Sequence, residues 1–183
     1  SHNGAVVVME VATGKIVAMV SKPDFNPSNY NKYTTEVINR NHAIWATYEP
    51  GSTFKIITSS MALEESLPIL NSNIFCGGVK TVLGKGIHCH KRTGHGSLTF
   101  AEGVQHSCNV WFMSIGEKLG CNKFIDYFKK FGYREKSGID LPGEAETAGL
   151  IYTSDKIGPV ELATNSFGQG FNATMTQMVA GFS

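Results

Sequence analysis

The sequence predicts an α+β fold, on two observations. The first is a pair of apolar, β-branched runs near the N-terminus, residues 4–11 and 15–21, joined by Ala12-Thr13-Gly14, a short glycine-containing connection that reverses a chain into a hairpin. The second is that most of the remaining chain carries helical signals: apolar residues at 3.6-residue spacing, bounded by caps and glycines. With 183 residues, 42% of them apolar and 17% charged, the composition is that of a globular unit that buries about two-thirds of its unfolded surface. Sixteen Lys and Arg against fifteen Asp and Glu leave no basic field for nucleic acid and no polybasic run for an anionic membrane, so no nucleic-acid partner is expected. No apolar stretch approaches the roughly 20 residues of a bilayer span, and the N-terminus has no secretory pattern. The chain starts directly before a strand-like run and stops inside an apolar stretch, so it is expected to be a piece of something longer.

Taken in order, Val6, Val7 and Val8 do not alternate with polar residues, so both faces of the first strand of the 4–21 hairpin are expected to be covered. Residues 22–29 form a loop on turn chemistry, and 34–45 are loosely helical. Pro50-Gly51-Ser52 punctuates the chain. Beyond it Phe54, Ile56, Ile57, Met61, Ala62 and Leu63 predict a buried helix that opens at about Ser52 and stops before Pro68. The glycine-rich stretch 71–98 reads as a loop with a small hairpin. Thr99 and Glu102 form a capping box opening a short helix that ends near His106. Trp111, Phe112, Ile115 and Leu119 predict a helix up to Gly120, and Phe124, Ile125, Phe128 and Phe131 another before Gly132. Residues 137–144 are turn-rich, 160–164 lead into Ser166-Phe167-Gly168-Gln169-Gly170, and Thr174 with Gln177 is a second capping box. Residues from about 99 to 183 are thus expected to form a helical subdomain.

Chemistry concentrates in two short motifs. Ser52 and Lys55 lie three residues apart, which on a helix puts hydroxyl and amine on one face. A serine needs a base to become a nucleophile, and a lysine serves if burial favours its neutral form; amides at a helix start also face a developing oxyanion. An S-x-x-K alone is weak, since about one occurs by chance in a chain this long and its plain alternative is a helix cap followed by a surface lysine. Ser107 and Asn109 follow 55 residues on: the hydroxyl can shuttle a proton, and the amide can accept from an ammonium and donate to a substrate carbonyl. Their plain alternative is a capping pair at a helix start. His106 is a poor partner for Ser107, because adjacent helical residues diverge by about 100°.

The conjunction is more specific than either part: S-x-x-K after Pro-Gly at the head of an apolar helix, then S-x-N downstream, is the pattern of penicillin-binding proteins and serine β-lactamases. The stretch Tyr48-Glu49-Pro50-Gly51-Ser52-Thr53-Phe54-Lys55 closely resembles the nucleophile motif of class B penicillin-binding proteins, the monofunctional peptidoglycan transpeptidases. Further likeness runs through Thr13-Gly14-Lys15-Ile16-Val17-Ala18-Met19, Asn39-Arg40-Asn41, Gly138-Ile139-Asp140-Leu141-Pro142-Gly143-Glu144 and the 166–170 segment. The 76–96 region, with Gly94-His95-Gly96, resembles the sporulation-specific branch most.

The resemblance implies an antiparallel sheet packed on a helical subdomain, and a partial transpeptidase domain over 1–183. It implies that Ser52 is acylated by the D-Ala-D-Ala of a stem peptide, that Lys55 takes its proton, and that Ser107 and Asn109 relay protons and hold the substrate amide. Peptidoglycan stem peptides and β-lactams are the implied partners, with no cofactor and no metal, and the implied location is the extracytoplasmic face of a bacterial cytoplasmic membrane, with the anchor outside this chain. The family's third motif, K-T-G or K-S-G, does not occur: Lys80-Thr81 precedes Val82, and Arg92-Thr93-Gly94 lies before S-x-N. Catalysis by this chain alone is therefore expected to be incomplete, with a C-terminal segment or another chain completing the sheet. A serine β-lactamase, a β-lactam sensor and an inactive scaffold are the competing readings; no carboxylate is placed as a deacylating base, since Glu64 and Glu65 fall at the far end of the nucleophile helix.

Cys76, His88, Cys89, His90 and His95 cluster in sequence but lack the paired spacing of structural zinc, so ordinary exposed loop histidines are expected. In an oxidising compartment Cys89 and Cys108 are candidates for a disulfide opened by a thiol reductase, with Cys76–Cys89 the competing pair and unlinked thiols the plain alternative. Cys121 reads as a core or surface thiol.

Overall fold

A computed structural model describes residues 3–183. In chain order the elements are β1 (Gly4–Glu10), β2 (Lys15–Lys22), α1 (Thr35–Asn39), α2 (His42–Trp45), β3 (Thr47–Tyr48), α3 (Lys55–Glu64), β4 (Ile74–Cys76), β5 (Val79–Val82), β6 (Lys85–His88), β7 (Gly96–Leu98), α4 (Phe100–Gln105), α5 (Asn109–Leu119), α6 (Cys121–Lys130), α7 (Pro159–Asn165), β8 (Ala173–Thr174) and α8 (Met175–Phe182). The α+β class read from the sequence holds. The chain divides into two compact units, one made of residues up to 48 with 131–150 and 172–183, the other of 49–130 with 151–171.

In the first unit β1 and β2 pair antiparallel; Val8 faces Ala18 and Met9 faces Ile16, so Val17 is the extra residue of a bulge. Ala5, Val7, Met9, Ile16 and Met19 are half-buried, on a ribbon that packs against α2 and α8. Val6, Val8, Val17 and Val20 are exposed. The two-sided cover expected for the first strand is therefore not found among the described residues: a two-stranded ribbon with helices on one face leaves its other valines in water. The second capping box forms as expected, with Thr174 Oγ1 accepting from the Gln177 amide at 3.1 Å and Gln177 Oε1 accepting from the Thr174 amide at 3.0 Å. The same Gln177 donates through Nε2 to the Glu135 carbonyl and to Thr147 Oγ1, both at 2.7 Å, which ties the 132–147 loop to α8.

In the second unit α5 is the central helix. Trp111, Phe112, Met113 and Ile115 are fully buried, and Trp111 donates through Nε1 to the Leu98 carbonyl at 2.9 Å. Phe54, Phe128 and Phe171 pack ring against ring at centroid distances of 4.8–5.3 Å, a geometry that adds to simple burial. α4 opens on the Thr99/Glu102 capping box, and α5 and α6 end before Gly120 and Gly132 or close to them, both at positive φ. The 71–98 stretch holds two small antiparallel pairs, β4 with β7 and β5 with β6. Among the described residues no helix is long and apolar enough to cross a membrane.

Candidate active site

The four residues singled out in the sequence all belong to the second unit, and the fold brings them together. Residues 51–54 form a 3₁₀ turn, and α3 proper begins at Lys55, three residues later than the spacing predicts. The turn follows from Gly51, whose φ of +59° suits glycine. Residues three apart eclipse one another in a 3₁₀ turn, so Ser52 and Lys55 stand one above the other. Lys55 Nζ lies 3.2 Å from Ser52 Oγ. It also donates to the Ser107 carbonyl at 2.6 Å, to Ser107 Oγ at 2.9 Å and to Asn109 Oδ1 at 2.7 Å. Ser52 itself is exposed, whereas Lys55 is only 4% exposed.

Ser107 reaches Lys55 through an unusual backbone. α4 ends with the Ser107 amide donating to the Val104 carbonyl and the Cys108 amide to the Gly103 carbonyl, both at 2.9 Å, the paired bonds of a Schellman close. That close places its second residue past the helix in the left-handed region, a position that favours glycine; Ser107 occupies it at φ +49°. Asn109 then starts α5, accepting from Lys55 and donating through Nδ2 to the His88 carbonyl at 3.2 Å. Gly103 lets α4 approach α5, since a Cβ there would sit 2.6 Å from the Trp111 ring.

Burial disfavours the Lys55 ammonium and pulls its pKa down to about 8, against an opposing pull from the thiolate forms of Cys89 and Cys108. An ammonium has three N–H groups, and the Ser107 carbonyl, Ser107 Oγ and Asn109 Oδ1 can take all three. A neutral amine keeps two N–H groups and gains a lone pair, which lies within reach of the Ser52 hydroxyl proton. The site is thus a serine, a lysine able to shed its charge near neutral pH, and a second hydroxyl on the far side of the amine. A cleft of about 390 Å³ opens over Ser52, Ser107 and Asn109, with Phe167, Gln169 and His90 on its wall. The larger cavity, about 870 Å³, lies beside β1 and β2 in the first unit and holds none of these groups; Ser52, Ser107 and Asn109 line the smaller one.

The family described as the penicillin binding protein transpeptidase domain matches residues 4–183. The chain belongs to that family. It is 47% identical over 178 residues to stage V sporulation protein D of Bacillus subtilis, covering 97% of this chain and 27% of that protein. It is 28% identical over 181 residues to the peptidoglycan D,D-transpeptidase FtsI of Escherichia coli K12, covering 97% and 29%. The solved structure of Pseudomonas aeruginosa PBP2 in complex with WCK 5153 superposes at a TM-score of 0.86 with 24% identity, over 98% of this chain and 45% of that one. The chain thus spans less than a third of the length of the first two relatives.

Two features of this family member escape a reading of the sequence. In the 166–170 segment, Gly168 (φ +87°) carries its carbonyl to the Gly51 amide at 2.8 Å, and a Cβ on it would fall 1.9 Å from the Gly51 carbonyl oxygen. The segment is therefore a brace behind the Ser52 turn, reinforced by Thr58 Oγ1 donating to the Ser166 carbonyl at 2.9 Å; the repeated glycines were its signal. The second feature is a gathering of cysteines. Cys76, Cys89 and Cys108 are free and buried, and their sulfurs lie with a ring nitrogen of His95 all within 4.8 Å of one another. Sequence spacing missed this set because its members come from four places, the ends of β4 and β6, the approach to β7 and the α4–α5 turn. His88 and His90 stay outside it, exposed as expected, while His95 is half-buried.

Proposed function

We propose that this chain is a partial D,D-transpeptidase domain, residues 1–183, that cross-links peptidoglycan stem peptides through an acyl-enzyme on Ser52. The observation that carries this reading is the buried Lys55 amine, set between Ser52 Oγ on one side and Ser107 Oγ and Asn109 Oδ1 on the other. Lys55 in its neutral form removes the Ser52 proton as Oγ attacks the carbonyl of the penultimate D-alanine. The peptide bond to the terminal D-alanine breaks, and its nitrogen takes a proton through the Ser107 hydroxyl. The acyl group then passes to an acceptor amine of a neighbouring stem, which restores Ser52. Asn109 orients Lys55 and offers its amide to the substrate backbone. A β-lactam enters the same path but keeps its leaving nitrogen tethered, so the adduct persists.

The cationic group for the substrate carboxylate and the second oxyanion amide belong, in this reading, to a K-T-G strand outside these residues, on a completing segment or another chain. The site works on the extracytoplasmic face of the membrane. No carboxylate stands among the cleft residues, which favours a long-lived adduct over the rapid hydrolysis of a β-lactamase. Intact mass of the full-length protein after penicillin, beside its Ser52→Ala variant, tests the reading. A stable adduct lost in the variant is expected; rapid hydrolysis would make the protein a lactamase, and no adduct at all would leave an inactive scaffold.

A further inference from the structure

We propose, on the transpeptidase reading above, that Asn165 and Glu49 are positioning residues: they clamp the peptide group between Gln169 and Gly170, and so set Gln169 on the cleft wall to meet the backbone of a bound stem peptide. Both polar atoms of that one peptide group are held by side chains. Glu49 Oε1 accepts from the Gly170 amide at 2.8 Å, a charge-assisted bond. Asn165, 0% exposed, takes the carbonyl. With its carboxamide turned to suit its neighbours, Nδ2 donates to the Gln169 carbonyl at 2.8 Å and to the Glu161 carbonyl at 3.1 Å. The reverse orientation would set an oxygen against two carbonyl oxygens, so the bonding partners assign this one.

The clamp answers a weakness of the local backbone. Gly168 and Gly170 flank Gln169 at φ +87° and +83°, and glycine has no Cβ to hold a peptide group to one orientation. Backbone bonds fix the start of the turn. The Gly168 amide donates to the Asn165 carbonyl at 3.0 Å, the Gln169 amide to the Thr164 carbonyl at 3.1 Å, and the Gly168 carbonyl accepts from Gly51. The 169–170 peptide group takes no part in these bonds and depends on the two side chains. Asn165 also lies hard against the turn, since a Cβ on Gly170 would come within 3.0 Å of its carboxamide and 3.1 Å of Thr164 Oγ1. Glu49 directly precedes Pro50-Gly51-Ser52, so one jaw of the clamp is carried by the chain that leads into the nucleophile.

What the clamp presents to the cleft is an open carboxamide. Asn109 and Gln169 both line the cleft. Asn109 is already bonded through Oδ1 to Lys55 and through Nδ2 to the His88 carbonyl, which leaves it one N–H. Gln169 is exposed, and among the described residues its carboxamide has no hydrogen-bond partner. One acceptor and two donors match the carbonyl and amide of a peptide backbone. Such a contact is made with the substrate before any bond changes and is kept in the transition state, so it strengthens binding without speeding the chemical step.

The test is titration of a stem peptide ending in D-Ala-D-Ala into the full-length protein, followed by ligand-observed NMR, in a Ser52→Ala background where no chemistry intervenes. Asn165→Leu, which keeps the volume and loses the donor, Glu49→Ala and Gln169→Ala should each weaken binding roughly tenfold. Glu49→Gln keeps the acceptor and should bind like the parent. The double variant Glu49→Ala/Gln169→Ala should bind no more weakly than Gln169→Ala alone, because both changes remove the same contact; a bond that only stabilised the fold would add its effect. With Ser52 restored, the acylation rate at saturating fluorescent penicillin should stay within about threefold of the parent. Unmoved binding in Glu49→Ala and Gln169→Ala overturns the proposal, as do additive losses, a loss confined to the saturated rate, or a parent that binds no stem peptide. If Asn165→Leu fails to fold, the exposed Glu49 and Gln169 still decide. Failure of the transpeptidase reading would show separately, as a Ser52 that forms no adduct, and the binding measurements need no adduct.

Discussion

Lys55 Nζ has four acceptors around it, one more than an ammonium can serve, and the longest of the four contacts is to Ser52. Protonation state therefore decides whether the amine and Ser52 act together. With the pKa drawn down to about 8 by burial, acylation of Ser52 by a fluorescent penicillin should rise as pH increases through about 8 and flatten above it; a rate independent of pH from 6 to 10 would remove Lys55 as the base. Folding stability shifts in the same direction. Between about 8 and the ordinary 10.5 the unfolded chain binds a proton that the folded chain does not, so this group's contribution to stability improves across that window, and below it the cost of burying the charge is full. Lys55→Met should slow acylation roughly 100- to 10,000-fold, the usual range for a lost general base. Ser107 offers a separate check, because its φ of +49° strains any side chain. Ser107→Ala keeps the strain and loses the hydroxyl, whereas Ser107→Gly loses both. Glycine should leave the protein about 1–2 kcal/mol more stable than alanine in chemical denaturation, with both variants equally slow in aminolysis.

At the scale of elements, the turn that carries Ser52 depends on a second segment far along the chain. Gly168→Ala drives a Cβ into the Gly51 carbonyl at 1.9 Å, between two backbones that have nowhere to retreat. It should cost about 1–3 kcal/mol or more by denaturant unfolding and slow acylation of a residue it does not touch. Gly149→Ala, with open space around it and an ordinary φ, should be close to neutral in both measurements. The pairing of Ser52 with Lys55 was legible because one turn of helix relates i to i+3 whatever the rest does. Gly168 was not, because close approach to Gly51 is a property of two segments far apart in the chain, and glycine in sequence says only that something needs space or a positive φ. The hairpin misled in the opposite direction. Three consecutive valines in β1 predict two covered faces, yet Val6 and Val8 are exposed; β propensity is the same on a wet face and a dry one, and burial is decided by what lies alongside.

For the molecule as a whole, the α+β class and most helices followed from local signals, namely the capping boxes at Thr99 and Thr174, the glycines after α5 and α6, and the apolar period of α5. The Ser107–Asn109 pair was legible as a motif, but its facing Lys55 needed the fold, as did the four-residue cluster around Cys108. The Lys55 contacts join residues 52 and 54 apart in sequence, through a turn whose shape no single residue announces. The proposed reaction demands that all of this serve one oxygen, Ser52 Oγ. The most direct measurement is therefore the intact mass of the full-length protein after brief exposure to penicillin, followed by peptide mapping. The predicted result is one penicilloyl group on Ser52, persistent for far longer than a turnover and absent from Ser52→Ala. An adduct on another residue, or an unmodified Ser52 in folded protein, would contradict the account.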